Sequence, residues 1–368
     1  MTPGASSVTP DKMPDMISTR ILRRARVLIV GCGDVGMRAL PLLKARAAKP
    51  RVIALTHHPE RAGELRAAGA LPIPGDLDAR KSLRRLAGIT RNVLHLAPPP
   101  REGLIDARTR ALITTLRAPH RSVARATHSA VMRQRTARGY TLGAEKRLRQ
   151  PSRKLSVIVP DRPFRDSKRR TGLRLVYAST TGIYGDCAGA FIDETRPARP
   201  DNERARRRVS AEKQLRAAGS KSGWRVSIVR IPGIYAATRL PLARIERAMP
   251  TLTASDDVYT NHIHADDLAA ILVRTLARGR HQRVINASDD TDLRMGDYFD
   301  LIADAYGKPR VPRISRDEAQ QRLEPITLSF MRESRRLANA RLKRELRFTL
   351  RFRTVDDFLR SEGKTAGR

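Results

Sequence analysis

The sequence predicts an α/β fold, in which a doubly wound parallel sheet is followed by a smaller C-terminal region. Two observations predict it. Apolar runs of strand length alternate with helix-like segments through the first half of the chain, as in consecutive βαβ units. A glycine-rich turn follows the first apolar run and opens the first helix-like segment. This order is typical of a Rossmann-type sheet.

The predicted elements follow from the apolar pattern. Residues 26–30 (RVLIV) form a continuous apolar run, as expected for a strand that is buried on both faces of a sheet. The further predicted strands are 52–56, 71–73, 93–97, 173–178 and 225–230, and the predicted helices are 35–48, 59–68, 82–87, 106–117 and 203–218.

Four segments make up the predicted domain organisation. We expect a disordered leader at 1–24 and a dinucleotide-binding domain at 25–240, interrupted at 118–170 by a basic segment that lacks any regular period and is predicted to be disordered. Residues 241–368 are predicted to form a mixed α/β substrate region. Its 258–288 segment can pack back on the sheet of the first domain.

The charge of the chain is strongly positive, with 73 Lys and Arg against 37 Asp and Glu and a formal net charge of +36. Such an excess favours binding to phosphates. However, aromatic residues that would stack on bases make up only 4% of the chain. We therefore expect a small-molecule substrate rather than nucleic acid as the partner, and keep nucleic-acid binding through the basic segment as an alternative.

The cysteine content and the hydropathy of the chain indicate where in the cell the protein is expected. Two cysteines cannot form a disulfide framework, which predicts a cytoplasmic protein. No apolar run approaches the ~18 residues of a membrane span, so no membrane partner is expected. A homodimer is left open.

Residues 31–36 (GCGDVG) have the spacing of a dinucleotide-binding loop. In such loops the first glycine (Gly31) permits the tight turn, the second (Gly33) lets the backbone approach a pyrophosphate, and the third (Gly36) packs the helix on the strand. The N-terminus of the predicted helix at 35–48, with Asp34 and Val35, would offer free N–H groups to the anion. A nicotinamide dinucleotide is therefore predicted as the cofactor.

The end of the second strand predicts which dinucleotide is preferred. NAD-selective sites place an acid there to bind the ribose 2′-hydroxyl. Here Thr56 is followed by His57, His58 and Arg61, which would favour a 2′-phosphate. NADP is thus favoured over NAD. Asp76, after the third strand, either contacts the adenine side of the cofactor or caps its own turn.

Six motifs in order resemble those of the extended and atypical short-chain dehydrogenase/reductases, the NAD(P)-dependent epimerase/dehydratase family, in particular the branch with a degenerate active site. The resemblance covers about 25–117 and 171–360. Besides the glycine loop, the motifs are GDL at 75–77, LVYASTTGIYGD at 175–186, DETRPARP at 193–200, RIPGIY at 230–235 and NHIHADDLA at 261–269.

The resemblance implies where the chemistry lies. In catalytic members of the family, a Ser or Thr orients the substrate oxygen, a Tyr exchanges a proton with it, and a Lys holds the nicotinamide ribose. Counting from the shared motifs places the hydroxyl at Thr180, with Ser179 beside it. The Tyr position falls on Arg204 and the Lys position on Arg208. Arg204 stays protonated and cannot serve as the phenolic acid.

Further contacts with the cofactor are expected from residues near the other strand ends, and from Arg208 on the predicted helix at 203–218. Those near strand ends are Leu77, Ala97, Pro98, Pro232 and Gly233.

Five other polar residues could have functional roles. Tyr184 is either a substitute acid for the missing tyrosine or a packing residue. Asp106 is predicted to be a helix N-cap, and Asp266 to cap a helix at 267–277. His262 and His264 share one face if their segment is extended, but their spacing fits no standard zinc site, so no metal is predicted.

The sequence therefore predicts an NAD(P)-binding oxidoreductase or an epimerase/dehydratase-like protein. Its substrate would be a nucleotide-sugar or another small carbonyl or hydroxyl compound. Because Arg204 replaces the tyrosine, the sequence does not decide whether the protein turns over a substrate. An enzyme is favoured over a protein that only binds the cofactor. The alternative is a catalytically impaired NADP(H)-binding sensor or structural protein.

Overall fold

A computed structural model describes residues 25–118 and 172–364. The predicted leader at 1–24 lies outside these residues, as does the predicted insertion at 118–170 apart from Ala118. The strands, in chain order, are β1 (Arg26–Val30), β2 (Arg51–Thr56), β3 (Leu71–Pro74), β4 (Asn92–His95), β5 (Arg174–Thr180), β6 (Phe191–Ile192), β7 (Arg225–Ile231), β8 (Gly233–Tyr235), β9 (Thr251–Leu252), β10 (Tyr259–Thr260), β11 (His262–His264), β12 (Arg283–Asn286), β13 (Leu293–Arg294), β14 (Arg313–Ile314) and β15 (Arg336–Leu337).

Seven of these strands form one parallel sheet in the order β12-β7-β5-β4-β1-β2-β3. The chain winds outward from β1 in both directions, so the order reverses between β1 and β4. This doubly wound α/β sheet confirms the predicted fold class. In open sheets of this kind, ligands bind beyond the carboxyl ends of the strands at the point of reversal.

Helices cover both faces of the sheet. The α-helices among the described residues are α1 (Asp34–Lys44), α2 (Ala62–Ala67), α3 (Ala107–Arg117), α4 (Glu203–Ser222), α5 (Leu242–Glu246), α6 (Ala265–Arg278), α7 (Met295–Ala305), α8 (Arg316–Arg322), α9 (Pro325–Phe330), α10 (Ala340–Glu345) and α11 (Val355–Ser361). Helices α1 and α6 pack on one face of the sheet, and α3 and α4 on the other. A third apolar cluster, built mainly from α7, α11 and neighbouring loops, forms the core of the C-terminal part.

Several predicted helices differ from those in the structure. Helix α1 ends at Lys44 rather than at 48, and the predicted helix at 59–68 divides into a 3-10 turn, Pro59–Arg61, followed by α2. The predicted helix at 82–87 is a 3-10 helix, Arg80–Leu86. In the described part of the chain, no helix is long and apolar enough to cross a membrane.

The two predicted helix caps had different outcomes. Asp106 caps α3 as predicted, since its carboxylate accepts a hydrogen bond from the Thr109 N–H. The prediction for Asp266 was wrong. Helix α6 begins one residue after β11, and the side chain of His264 accepts from the Asp266 N–H. The Asp266 carboxylate instead contacts the guanidinium groups of Arg38 and Arg351.

A buried ion pair joins three elements at the carboxyl end of the sheet. Glu212 on α4 and Arg230 on β7 are both 5% exposed, with 2.9 Å between Oε2 and Nη2. The Ser179 hydroxyl on β5 donates to Glu212 at 2.6 Å. Arg230 also donates to the hydroxyl of Tyr184, which in turn donates to Asn286 on β12. The pair therefore ties α4 to adjacent strands of the sheet.

We predict that Glu212→Ala destabilises the protein by about 3–5 kcal/mol, because it leaves the buried Arg230 charge without its partner. Urea unfolding monitored by circular dichroism measures this difference. The matched control is Glu318→Ala, which removes an exposed ion pair with Arg322 and should cost less than about 0.5 kcal/mol. Equal midpoints for the two variants would show that the buried pair is not structurally required.

Candidate functional site

In the glycine loop after β1, the first and third glycines are tightly packed, whereas the second faces open space. Gly31 has φ +84°, and a Cβ placed on it would lie 2.6 Å from the Ala97 Cα. A Cβ on Gly36 would lie 3.1 Å from the Cys32 sulfur, whereas one on Gly33 would meet nothing within 4 Å. The backbone at Gly33 is thus open to a ligand, as the close approach of a pyrophosphate requires.

Helix α1 begins at this opening. Its N-cap is Gly33, which has no side chain to satisfy the first N–H groups of the helix, including those of Asp34 and Val35. The Asp34 carboxylate is neutralised by Arg38 at 2.9 Å and by Arg239 at 3.1 Å. Because Arg38 also pairs with Asp266, these side-chain charges balance, and the unsatisfied N–H groups of the helix N-terminus are what fit an anionic ligand.

The residues after β2 form a turn on the same edge of the sheet. Thr56 is 8% exposed, and its hydroxyl bonds with the backbone of His58. His57 is exposed, and its ring centroid lies 3.8 Å from that of His58. Arg61 donates to the Cys32 carbonyl at 2.8 Å and pairs with Glu64. Arg61 thus ties this turn to the glycine loop.

The ends of β3 and β4 supply the rest of the predicted cofactor surface. The Asp76 carboxylate accepts from the Asp78 N–H at 2.9 Å, which is a turn-stabilising contact. Leu77 is half-buried against the apolar cluster of the α3 face. Ala97 is buried beside Gly31, and Pro98 is exposed.

A cavity of about 280 Å³ lies at the carboxyl ends of β5 and β7. Thr180, Arg204, Pro232 and Gly233 all line it, so the structure brings together one predicted catalytic residue, the substituted tyrosine position and two predicted cofactor contacts. The Thr180 hydroxyl accepts a hydrogen bond from the Gly182 N–H at 3.3 Å, and its own proton is available to a ligand.

The neighbouring candidates Ser179 and Tyr184 point elsewhere. Ser179 is 3% exposed and its hydroxyl is bonded to Glu212. Tyr184 is 0% exposed, its hydroxyl contacts Arg230 and Asn286, and burial raises its pKa. These contacts favour the packing role for Tyr184 and give its proton no route to the cavity.

Arg208 is half-buried on α4 and does not line the cavity. Its Nη1 donates to the Ala178 carbonyl at 2.7 Å and to the Tyr177 hydroxyl at 3.2 Å, near the end of β5. Burial raises the pKa of Tyr177 to about 12, so this tyrosine stays protonated at neutral pH.

Sequence reasoning assigned no role to His95, at the end of β4. Its Nε2 lies 2.9 Å from the Thr109 hydroxyl, which donates to Asp106. Burial lowers the pKa of His95 to about 3, so the ring is neutral. In the sequence, His95 is a single histidine within an apolar run. That pattern does not indicate that His95, Thr109 and Asp106 contact one another in the fold.

The histidines of the 261–269 motif are both buried. His262 is stacked on Tyr298 with ring centroids 4.0 Å apart, and His264 packs among Tyr235, Phe352 and Phe358. Burial lowers the pKa of His262 to about 3. Within residues 25–118 and 172–364, no three His, Cys, Asp or Glu side chains are grouped to hold a metal ion.

We predict that Gly33→Ala lowers dinucleotide affinity at least about tenfold while changing the free energy of unfolding by less than about 1 kcal/mol. The φ of −81° suits alanine, but the methyl group fills the space that the backbone leaves open. Gly31→Ala is the matched comparison, since its positive φ and contact with Ala97 should cost at least about 1–2 kcal/mol of stability. Fluorescence titration and urea unfolding measure the two effects. Normal affinity in folded Gly33→Ala would contradict the site.

Comparison with solved structures supports the fold. A functionally unknown conserved protein from Silicibacter pomeroyi is 22% identical with a TM-score of 0.63, covering 93% of this chain and 100% of that chain. The dTDP-glucose 4,6-dehydratase DesIV from Streptomyces venezuelae, with NAD and TYD bound, is 17% identical with a TM-score of 0.62, covering 91% and 95%. UDP-glucuronic acid 4-epimerase from Bacillus cereus, in complex with NAD, is 13% identical with a TM-score of 0.59, covering 88% and 93%.

A search of curated proteins returned no match. Residues 164–288 match the NAD dependent epimerase/dehydratase family. This segment contains Thr180, Arg204, Arg208 and the strands that line the cavity. The predicted resemblance to this family is thereby confirmed for residues 164–288, and the solved structures confirm a Rossmann-type fold.

Proposed function

We propose that the protein is an NAD(P)-dependent oxidoreductase or epimerase/dehydratase-like enzyme of the extended short-chain type. Its substrate would be a nucleotide-sugar or another small carbonyl or hydroxyl compound. The observation that carries the proposal is the open backbone at Gly33 on the same edge of the sheet as the cavity that holds Thr180. A dinucleotide site and a substrate-sized cavity at this edge are what hydride transfer requires.

The residues present fit a dinucleotide. The glycine loop and the N-terminus of α1 would hold the pyrophosphate, and the turn after β2 would hold the adenosine ribose. Ala97, Pro98, Arg208, Pro232 and Gly233 are proposed to line the nicotinamide half. When bound, the nicotinamide supplies or accepts a hydride.

We propose NADP as the preferred form. Arg61, His57 and His58 follow β2, and the nearby carboxylates are already paired, Glu64 with Arg61 and Glu60 with His58. A 2′-phosphate would therefore meet positive or neutral donors rather than a free carboxylate.

The chain's own residues would divide the chemistry as follows. Thr180 donates a hydrogen bond that orients the substrate oxygen. Arg208 places a permanent positive charge below the strand ends, which would stabilise negative charge on that oxygen. Arg204 cannot exchange a proton, because a guanidinium remains protonated. The proton would have to come from solvent water, which predicts slow turnover.

One observation favours a second candidate, a catalytically impaired NADP(H)-binding sensor or structural protein. Arg204 occupies the position where the family resemblance implies the tyrosine, and Ser179 and Tyr184 are engaged in the buried Glu212 network. Such a protein would bind the dinucleotide through the same loop without turning over a substrate.

The proposed cofactor preference is tested by titrating the purified full-length protein with NADPH and with NADH, with binding followed by fluorescence. We expect NADPH to bind more tightly. Arg61→Gln should lose affinity for NADPH more than for NADH, because it removes a donor to the 2′-phosphate. Arg66→Gln, at an exposed position on α2, is the control and should change neither. Failure of both dinucleotides to bind below about millimolar would refute the proposed function.

Turnover separates the enzyme from the sensor. We expect slow NADPH consumption with a panel of carbonyl compounds, and at least about a tenfold loss in Thr180→Ala, since one oriented hydrogen bond to the reacting oxygen is removed. Cofactor binding should be unchanged in this variant. Absence of any consumption in the wild type, with intact NADPH binding, would favour the sensor.

A further inference from the structure

We infer that the cavity at the ends of β5 and β7 selects a small substrate that carries a carboxylate, and that Arg204 binds this group. The inference rests on the proposed function and deepens it by naming the substrate class. In place of an acid/base residue, position 204 would supply specificity.

Arg204 is a charged side chain without a counter-charge. It is exposed, lines the cavity, and makes neither a hydrogen bond nor an ion pair with any residue of 25–118 and 172–364. Its one described contact is with Phe330, whose ring centroid lies 4.8 Å from the guanidinium carbon. A guanidinium over a ring is held by cation–π attraction, which leaves its N–H groups without a carboxylate partner and able to bind a planar carboxylate.

The other charges at the cavity cancel one another. Glu333 accepts a hydrogen bond from Asn202 at 3.0 Å and from Arg335 at 2.8 Å, so both of its oxygens are partnered. His262 also lines the cavity, but burial lowers its pKa to about 3 and keeps the ring neutral. The cavity therefore carries a net charge of about one positive unit, located at Arg204.

The N-terminus of α4 adds to this field. Asn202 is the N-cap of a 20-residue helix and lines the cavity together with Arg204 and Ala205. The partial positive charge of a helix N-terminus stabilises an anion placed close to the first turn. Helix and guanidinium thus favour the same sign of ligand charge.

The net charge and the volume of the cavity together limit the class of substrate that it can bind. A single unpaired guanidinium balances one carboxylate, whereas a phosphate dianion would leave a second negative charge near Glu333. The volume of about 280 Å³ lies at the lower limit of small-molecule pockets, which favours a compact oxo or hydroxy acid over a whole nucleotide-sugar. Thr180, which lines the same cavity, would bind its carbonyl or hydroxyl oxygen.

The experiment compares each acid with an uncharged analogue in the full-length protein. Dissociation constants of 4-oxopentanoate and methyl 4-oxopentanoate, and of 2-oxopentanoate and 2-oxopentanamide, are measured by ligand-observed NMR without added cofactor. We expect at least one acid to bind about tenfold more tightly than its analogue. In Arg204→Gln this preference should fall below about twofold, and Arg204→Lys should retain part of it.

Arg206→Gln is the matched control, because Arg206 is exposed on the same helix and does not line the cavity. Its loss lowers the overall positive charge equally and should leave the preference intact. NADPH titration of each variant reports separately on the proposed function and on folding. Equal binding of acids and analogues by the wild type, or an undiminished preference in Arg204→Gln, would overturn the inference. So would displacement of the acid by UDP-glucose with equal affinity in wild type and Arg204→Gln.

Discussion

The arrangement of the cavity depends on one buried ion pair, Glu212 with Arg230. Neither charge has access to enough water for solvation, so each requires its partner, and this requirement holds α4 against β7. Ser179 adds its hydroxyl to the pair, which orients the end of β5. Because side chains alternate along a strand, holding Ser179 on the α4 side turns Thr180 away from it, and Thr180 lines the cavity. A structural contact thus positions the residue that is proposed to meet the substrate.

Arginine serves two purposes in this basic chain. At the glycine loop, Arg38 and Arg239 neutralise Asp34, and Arg208 binds backbone and hydroxyl oxygens near the end of β5. In these places the guanidinium holds the fold together. Arg204 differs because no described carboxylate forms an ion pair with it, so its charge remains available to a ligand. The net charge of +36 therefore says less about function than the presence or absence of a partner at each position.

Predictions from sequence succeeded where the determining contacts are local. The cap of α3 by Asp106 involves atoms three residues apart, and a capping residue followed by a helix is visible in the chain. The cap of α6 was misassigned because the preceding strand continues to His264. That strand is set by pairing of β11 with β8, some 30 residues earlier, which no local pattern of residues 261–269 reveals.

The sequence by itself determined the parallel α/β sheet and the dinucleotide loop, because apolar periodicity and glycine spacing are properties of consecutive residues. It also placed Thr180, Arg204 and Arg208 by their motifs. Only the tertiary structure decided which of these residues are free to act. It buried Ser179 and Tyr184 in the Glu212 network, and it placed Phe330 and Arg335, more than a hundred residues away in the chain, beside the cavity of Arg204. The charge that a site offers to a ligand depends on which side chains meet there. The spacing of residues in the sequence does not give the spatial distance between such remote segments.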